Sequence, residues 1–467
     1  MQYSVVNLSE VKNNSDFRID AEYWKPEIRN IKTLLNKWNN CCFGDKIDIL
    51  TDYHANGSYK ILKNHVQMVD NKDYALMIRT VDLENENYKN NVKYISENAY
   101  NFLKKTKIFG GEIIINKVGS AGAVFRMPYL NIPVSLGMNQ FLIKVKDIIS
   151  DYVFVFLKTK YGEKLIKQRI TGAVPQSIDK DSIRSIPIFV PSKCFQQSIA
   201  DLVNTSYTLR QSADTLYKEA ENILLEELGL KDFKPQNKKC FIKNLSNTQE
   251  VGRFDAEYFQ PKYEDIIEKI KGYKWGYFVL KDEDINDKNF NPKKDVCYKY
   301  IELSNISNNA TINNVEMITG DNLPTRARRI VKTNDIIVSS VEGSLNSISL
   351  ITENYNNSLC STGFFVLKTQ KLNSESLLIF LKNIIGQMQL KRGCKGTILT
   401  SIDKNELKQI IIPLLPQSIQ ILISSKIQQS FENREKSKRL LDVAKRAVEI
   451  AIEEDEESGL KYIKENR

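Results

Sequence analysis

Thr171-Gly172-Ala173-Val174-Pro175-Gln176-Ser177-Ile178-Asp179-Lys180 is followed by the apolar run Ile186-Pro187-Ile188-Phe189-Val190-Pro191, then by helix-forming residues as far as Gly229. The same order returns later. Lys395-Gly396-Thr397-Ile398-Leu399-Thr400-Ser401-Ile402-Asp403-Lys404 leads into Ile410-Ile411-Ile412-Pro413-Leu414-Leu415-Pro416 and a second long helical segment. A loop, a short strand and a long helix, used twice, predict a chain of two similar halves.

The repetition extends upstream. Phe17-Arg18-Ile19-Asp20-Ala21-Glu22-Tyr23-Trp24-Lys25-Pro26 is echoed by Gly252-Arg253-Phe254-Asp255-Ala256-Glu257-Tyr258-Phe259-Gln260-Pro261. Each copy runs into an amphipathic helix, marked by Ile28, Ile31, Leu34 and Leu35 and by Tyr263, Ile266, Ile267 and Ile270. Asp20 with Glu22, and Asp255 with Glu257, are read as buried ion-pair partners of Arg18 and Arg253 rather than catalytic carboxylates. Apolar, β-branched runs then match in pattern: 75–83 with 298–306, 111–120 with 334–343, and 140–145 with 363–368. They close on small residues, as buried strands ending in turns do. One helix is expected after each set, at 152–168 and 376–390.

The two long segments carry heptad seams. Ile199, Leu202, Ser206, Leu209, Ala213, Leu216, Ala220 and Ile223 mark the first. Ile423, Ile427, Ser430, Arg434, Ser437, Leu441, Ala444, Val448 and Ala451 mark the second. Steps of three and four over this length leave an apolar stripe that needs a partner, and each seam is the obvious partner of the other. Pairing between chains is the competing arrangement. Ser192 and Ser418 are expected N-caps and Gly229 a C-cap. The acidic tail 449–457 is expected to be solvated.

At 467 residues the chain has room for two or three cores, and 42% hydrophobic with 27% charged residues is ordinary for a folded protein. A net charge of +10 favours an anionic partner. Between Lys104 and Lys180 about 13 Lys and Arg face 5 Asp and Glu, as a phosphate-binding patch requires. Seven cysteines without CxxC spacing predict free thiols in a reducing compartment. Met1-Gln2-Tyr3-Ser4-Val5 opens no leader-like segment, and no apolar run reaches the roughly 20 residues that span a bilayer. A cytoplasmic protein is expected.

Catalytic constellations are missing from the sequence. There is no GxxxxGK[ST] loop, no Asn-Pro-Pro-aromatic or Asp-Pro-Pro-aromatic tetrapeptide and no glycine-rich strand-to-helix turn for a methyl donor. His54 and His65 are the only histidines and form no metal-binding pair. A non-catalytic chain with no cofactor or metal of its own is expected.

The doubled loop ending in Ser-Ile-Asp-Lys resembles the specificity subunit of type I restriction-modification systems. So do the strand closing on Pro191 or Pro416 before Gln197 or Gln417, the segment 110–122 and the two long helices. The resemblance implies an α+β fold with two pseudo-symmetric target-recognition domains separated by two long antiparallel helices, a coiled coil. The implied divisions are 1–190 and 233–415 for the two domains, and 191–232 and 416–467 for the helices. Each domain would read half of a split DNA sequence. A helix of about 37 residues is about 55 Å long, enough to set an unread gap of a duplex turn, about 34–36 Å. Expected partners are double-stranded DNA, two methyltransferase subunits and restriction/translocase subunits, with S-adenosylmethionine and ATP carried by those partners.

Base and phosphate contacts require Arg, Lys, Asn, Gln, Ser and Thr on loops. In the first half the candidates are Arg79, Lys117, Ser120, Arg126, Asn139, Gln140, Thr171, Gly172, Gln176 and Ser177. In the second they are Arg326, Arg328, Arg329, Ser340, Ser344, Asn346, Thr362, Lys395 and Thr397. A recognition subunit of a type IIB-like enzyme, and a coiled-coil scaffold that binds protein, remain open as alternatives.

Overall fold

The computed structural model describes residues 5–12, 17–21, 23–89, 91–235, 237–396 and 398–467. The chain divides into two compact units, Met1–Leu209 with Glu435–Arg467, and Arg210–Arg434. Both are α+β and are assembled from the same parts.

In the first unit, Ile47–Asp52, Gln140–Val145, Ile113–Asn116 and Val124–Arg126 form an antiparallel sheet in that order. A second sheet runs Lys93–Ile95, Ala75–Ile78, Val134–Leu136, Lys107–Ile108, with its two inner strands parallel. The second unit repeats both. Ile285–Asn286, Phe364–Leu367, Ile336–Ser339 and Ile348–Leu350 form the antiparallel sheet. Glu316–Thr319, Cys297–Ile301, Leu359–Ser361 and Ala327–Ile330 form the other, again with a parallel inner pair. The Ile-rich strands 113–116 and 336–339 are buried on both faces, which explains their unbroken apolar runs.

Three expectations need correction. The runs at 75–83 and 298–306 are not continuous strands. The first becomes a short helix, Thr80–Glu84, with Asp82 accepting from the Arg79 N–H; the second becomes a 3-10 turn, Leu303–Asn305, with Asn305 accepting from the Glu302 N–H. The helices expected at 152–168 and 376–390 are each two. Ser150–Leu157 is followed by Lys160–Lys167, and Ser374–Lys382 by Ile384–Gly393. Thr159 and Asn383 N-cap the second member of each pair. Gly162 and Gly386 let it approach the first, since a Cβ at either would lie 2.3 Å from the Phe156 or Phe380 carbonyl oxygen. The third correction is the acidic tail. Glu453 bonds Lys160 and the Tyr161 hydroxyl, Glu456 accepts from the Ser192 N–H, and a further helix, Glu456–Asn466, packs Ile463 into the first unit.

The long helices are Lys193–Glu227 and Gln417–Glu453. Within the first unit the Ser206 hydroxyl donates to the Ser437 carbonyl at 2.9 Å, and Phe195 and Ile199 share a core with Ala444, Ala447 and Val448. Within the second, Ser430 donates to the Ala213 carbonyl at 2.8 Å and Lys426 pairs with Glu219 at 2.7 Å. In both units the residue numbers run in opposite senses, so the pairing is antiparallel and within one chain. Small seam residues allow it: Ala213, Ala220, Ser430, Ala444 and Ala451 are fully buried. Tyr217 and Leu224, rather than Leu216 and Ile223, fill the inner face near the end of the first helix. Ser192 caps the first helix through the Phe195 N–H, whereas the second begins at Gln417 and leaves Ser418 inside its first turn. No helix among the described residues is long and apolar enough to cross a membrane.

Candidate nucleic-acid interface

Three motifs that the two halves share, the upstream arginine, the glycine loop and Ser-Ile-Asp-Lys, fasten one loop to its unit. In the first unit the loop leaves the helix Lys160–Lys167, crosses 171–177 and enters the helix Lys180–Arg184. In the second it leaves Ile384–Gly393 and enters Lys404–Leu407.

The entry is held by the arginine of the upstream motif. Arg18 donates to the Gln168 carbonyl at 3.0 Å and Arg253 to the Cys394 carbonyl at 2.8 Å, so each cation serves a helix C-terminal end. Each guanidinium also lies over a tyrosine, Tyr23 at 4.8 Å or Tyr258 at 4.3 Å, and pairs with Asp20 or Asp255 at 2.8 Å. The expected ion pair is present but not buried: its arginine is half-buried. The Asp20 and Asp255 side chains are 45% and 47% exposed. Glu257 takes other partners, Lys262 and the Tyr263 hydroxyl, and Glu22 lies outside the described residues.

The loop's middle is closed by backbone. Thr171 and Ser177 exchange two hydrogen bonds of 2.8 Å, and Cys394–Lys395 pairs with Ser401–Ile402. Ile178 N–H donates to the Lys117 carbonyl at 3.0 Å and Ile402 N–H to the Ser340 carbonyl at 2.8 Å, which ties each loop to the end of a buried strand. Gly172 and Gly396 are required here. Both have positive φ, and a Cβ would lie 2.7 Å from the Pro175 carbonyl or 2.6 Å from that of Leu399.

Ser-Ile-Asp-Lys secures the exit. Asp179 and Asp403 N-cap the next helix, accepting from Ser182 N–H at 2.7 Å and Glu406 N–H at 2.9 Å. The lysines reach an aspartate at the end of the neighbouring edge strand: Lys180 to Asp52 at 3.3 Å, and Lys404 to Asp287 at 2.9 Å. Burial pushes the Asp52 carboxyl up, but Lys180 and Lys117 outweigh it and hold the acid below its usual range. Arg18, Arg253, Lys180 and Lys404 were not among the sequence candidates. The signal was their exact recurrence where other charges drift.

Around the first loop the structure gathers several candidates. Thr171, Gly172 and Gln176 are exposed on it, with Ser177 half-buried at its base. Ser120 and Asn139 are exposed beside it: Ser120 accepts from the Asn116 amide at 2.8 Å, and the Asn139 carbonyl accepts from the Lys117 N–H at 2.7 Å. Lys117 also pairs with Asp52 at 3.4 Å. Arg79, half-buried, is held by Asp82 at 2.7 Å and by the Asn91 carbonyl at 2.6 Å.

Two candidates are drawn inward. Gln140 is fully buried, and its amide bridges the Ile78 carbonyl and the Thr80 N–H. Arg126 is 5% exposed, paired with Asp151, bonded to Asn204 at 2.9 Å and stacked on Tyr207 at 4.4 Å. Burial works against its charge, but Asp151 outweighs that and raises its pKa. Neither side chain is available to a duplex.

In the second unit Thr362 N–H donates to the Arg326 carbonyl at 2.8 Å and Ser340 N–H to the Gly363 carbonyl at 2.9 Å. Ser340 is in turn tied to the loop, so Arg326, Ser340, Thr362 and Lys395 share one end of the unit. Ser344 bonds Ser339 at 2.9 Å, and Asn346 donates to Asn308 at 3.2 Å. Lys395 pairs with Asp403 at 2.6 Å. Arg328 is bound to Thr325 and Asn291, and Arg329 to Asp287 and Asn289. Arg326 is exposed and makes no side-chain hydrogen bond or ion pair with the described residues. Thr397 lies outside the described residues.

Each of the two α+β units presents a braced loop ringed by polar side chains, an arrangement suited to recognition. Residues 36–222 match the family described as the type I restriction modification DNA specificity domain. That match supports a DNA sequence-recognition role for the chain. Among solved structures, the S subunit of a type I restriction-modification system from M. genitalium is similar at 12% identity and a TM-score of 0.39, over 91% of this chain and 96% of that one. The HsdS subunit from Thermoanaerobacter tengcongensis is similar at 11% identity and a TM-score of 0.28, over 90% and 97%. No curated protein matches the chain.

Proposed function

We propose that each unit reads one half of an interrupted DNA target. Methyltransferase subunits, two per chain, dock on elements that the units have in common, and restriction subunits join them. The partners carry S-adenosylmethionine and ATP and do the chemistry; this chain selects the site.

The observation that supports this most is the contrast within each unit. Anchoring residues recur in kind (Arg18 and Arg253, Asp179 and Asp403, Lys180 and Lys404), whereas the exposed polar residues around the loops do not. Common anchors with unlike fingertips suit two different half-sites. Among the fingertips Arg326 is the guanidinium best placed to read guanine, because among the described residues it makes no side-chain hydrogen bond or ion pair that it would have to give up.

The test is selection from a random-sequence duplex pool by the full-length chain, followed by binding of the selected duplex to Arg326→Ala. An interrupted motif is expected, and the variant should lose about 5- to 150-fold on it, the worth of one bidentate base contact. Affinity for random duplex should change little. Equal loss on both would make Arg326 a phosphate contact, and a pool with no motif would favour the protein-binding scaffold.

A further inference from the structure

The braced loops carry something at their tips that polar readout does not need. Val174 is 94% exposed in the first unit, and Ile398 and Leu399 are 93% and 84% exposed in the second. Single exposed apolar residues are common on protein surfaces. Here they recur at the same place in both units, although the two loops differ in sequence: Ala173-Val174-Pro175 in one, Ile398-Leu399 in the other. The apolar character is retained while the residues are not. Each loop is also fixed at entry and exit and closed at its base by the contacts already described, and its tip side chains are in water.

We propose that the two loop tips are apolar wedges that enter the base stack of duplex DNA, one in each half-site. This rests on the reading that the units bind DNA. Three observations favour DNA over a protein partner. The tips stand among the exposed polar residues Ser120, Asn139 and Gln176, and Arg326, Thr362 and Lys395. A tip of one or two side chains presents far less than the roughly 800 Å² per partner of a stable protein interface, whereas one inserted aliphatic side chain is enough to part a base step. Lys117 and Lys180 share the single Asp52 at the base of the first loop, which leaves a net positive charge where its flanking phosphates would lie.

The test uses the full-length chain and the duplex it selects from a random pool, with 2-aminopurine placed at successive positions. Wild type should brighten the probe at one step in each half-site, by unstacking it. Val174→Ser should abolish the signal in one half-site alone, and Ile398→Ser with Leu399→Ser in the other alone. Each should weaken the selected duplex about tenfold and random duplex by less than about twofold. Ile398→Met, which keeps the bulk, should keep the signal; matching unfolding midpoints exclude misfolding. If wild type selects a duplex and no position brightens, or the serine variants brighten it fully, the wedge is wrong and the DNA reading stands. Serine variants that keep the signal but no longer co-purify with a methyltransferase would make the tips a protein contact and overturn the proposal. If wild type selects no duplex, both fall together.

Discussion

Replacing Arg126 with alanine should cost the first unit about 3–5 kcal/mol of stability, the usual price of leaving one half of a buried ion pair behind. Asp151 is only 8% exposed and lies in the first turn of the helix Ser150–Leu157. Without the guanidinium it keeps its burial and loses its main counter-charge. The alanine also opens space beneath Tyr207, whose ring packs on Arg126 at 4.4 Å. Arg126→Met with Asp151→Leu, which removes both charges and keeps the volume, should recover most of the loss. Urea unfolding measures each step. If Arg126 instead touched DNA, alanine would leave the unfolding midpoint unchanged and reduce affinity for the selected duplex, and the doubly apolar variant would rescue nothing.

The second large effect is a pH dependence. Lys382 is 7% exposed, donates to the Asn346 carbonyl at 2.7 Å and faces Glu221 on the long helix. Burial lowers its pKa to about 7, with Glu221 opposing too weakly to prevent it. The sign follows from proton counts. Between pH 7 and about 10.4 the unfolded chain holds this proton and the folded chain does not, so stability rises with pH at up to about 1.4 kcal/mol per unit. Below pH 7 both states are charged and the dependence disappears. Lys382→Met should therefore be more stable than wild type at pH 7, by a margin of a few kcal/mol that shrinks as pH rises toward 10. Denaturant titrations of both proteins at pH 7, 8 and 9 read that margin directly. A margin that stays constant would mean that Lys382 is neutral throughout or charged throughout.

Much of this was legible in the residues. The strands at 113–116 and 336–339 are Ile-rich because both faces are covered, and the long seams show because Ala and Ser recur at intervals of three and four. The loops were visible as recurring motifs. Their anchoring was not, since Arg18 meets Gln168, and Lys180 meets Asp52, across 150 and 128 positions. Breaks at Thr159 and Asn383 were hidden because a capping Thr or Asn inside an apolar-periodic run looks like one more polar residue on a single helix. Arg126 and Gln140 were misread for a related reason: charge and polarity suggest surface, and only the packing of Asp151, Asn204 and Tyr207 shows one of them to be interior. Conversely, Ile398 and Leu399 are apolar, yet the structure puts them in water.

On the proposed reading, two like-built units carry two unlike reading surfaces. Mapping methylated bases in the DNA of a host that carries this chain with its methyltransferase partner tests it most directly. An interrupted motif is predicted, two defined half-sites flanking base pairs that are not read, with Arg326→Ala relaxing one half and leaving the other intact. A continuous motif, or an Arg326→Ala host in which both halves relax together, would contradict it.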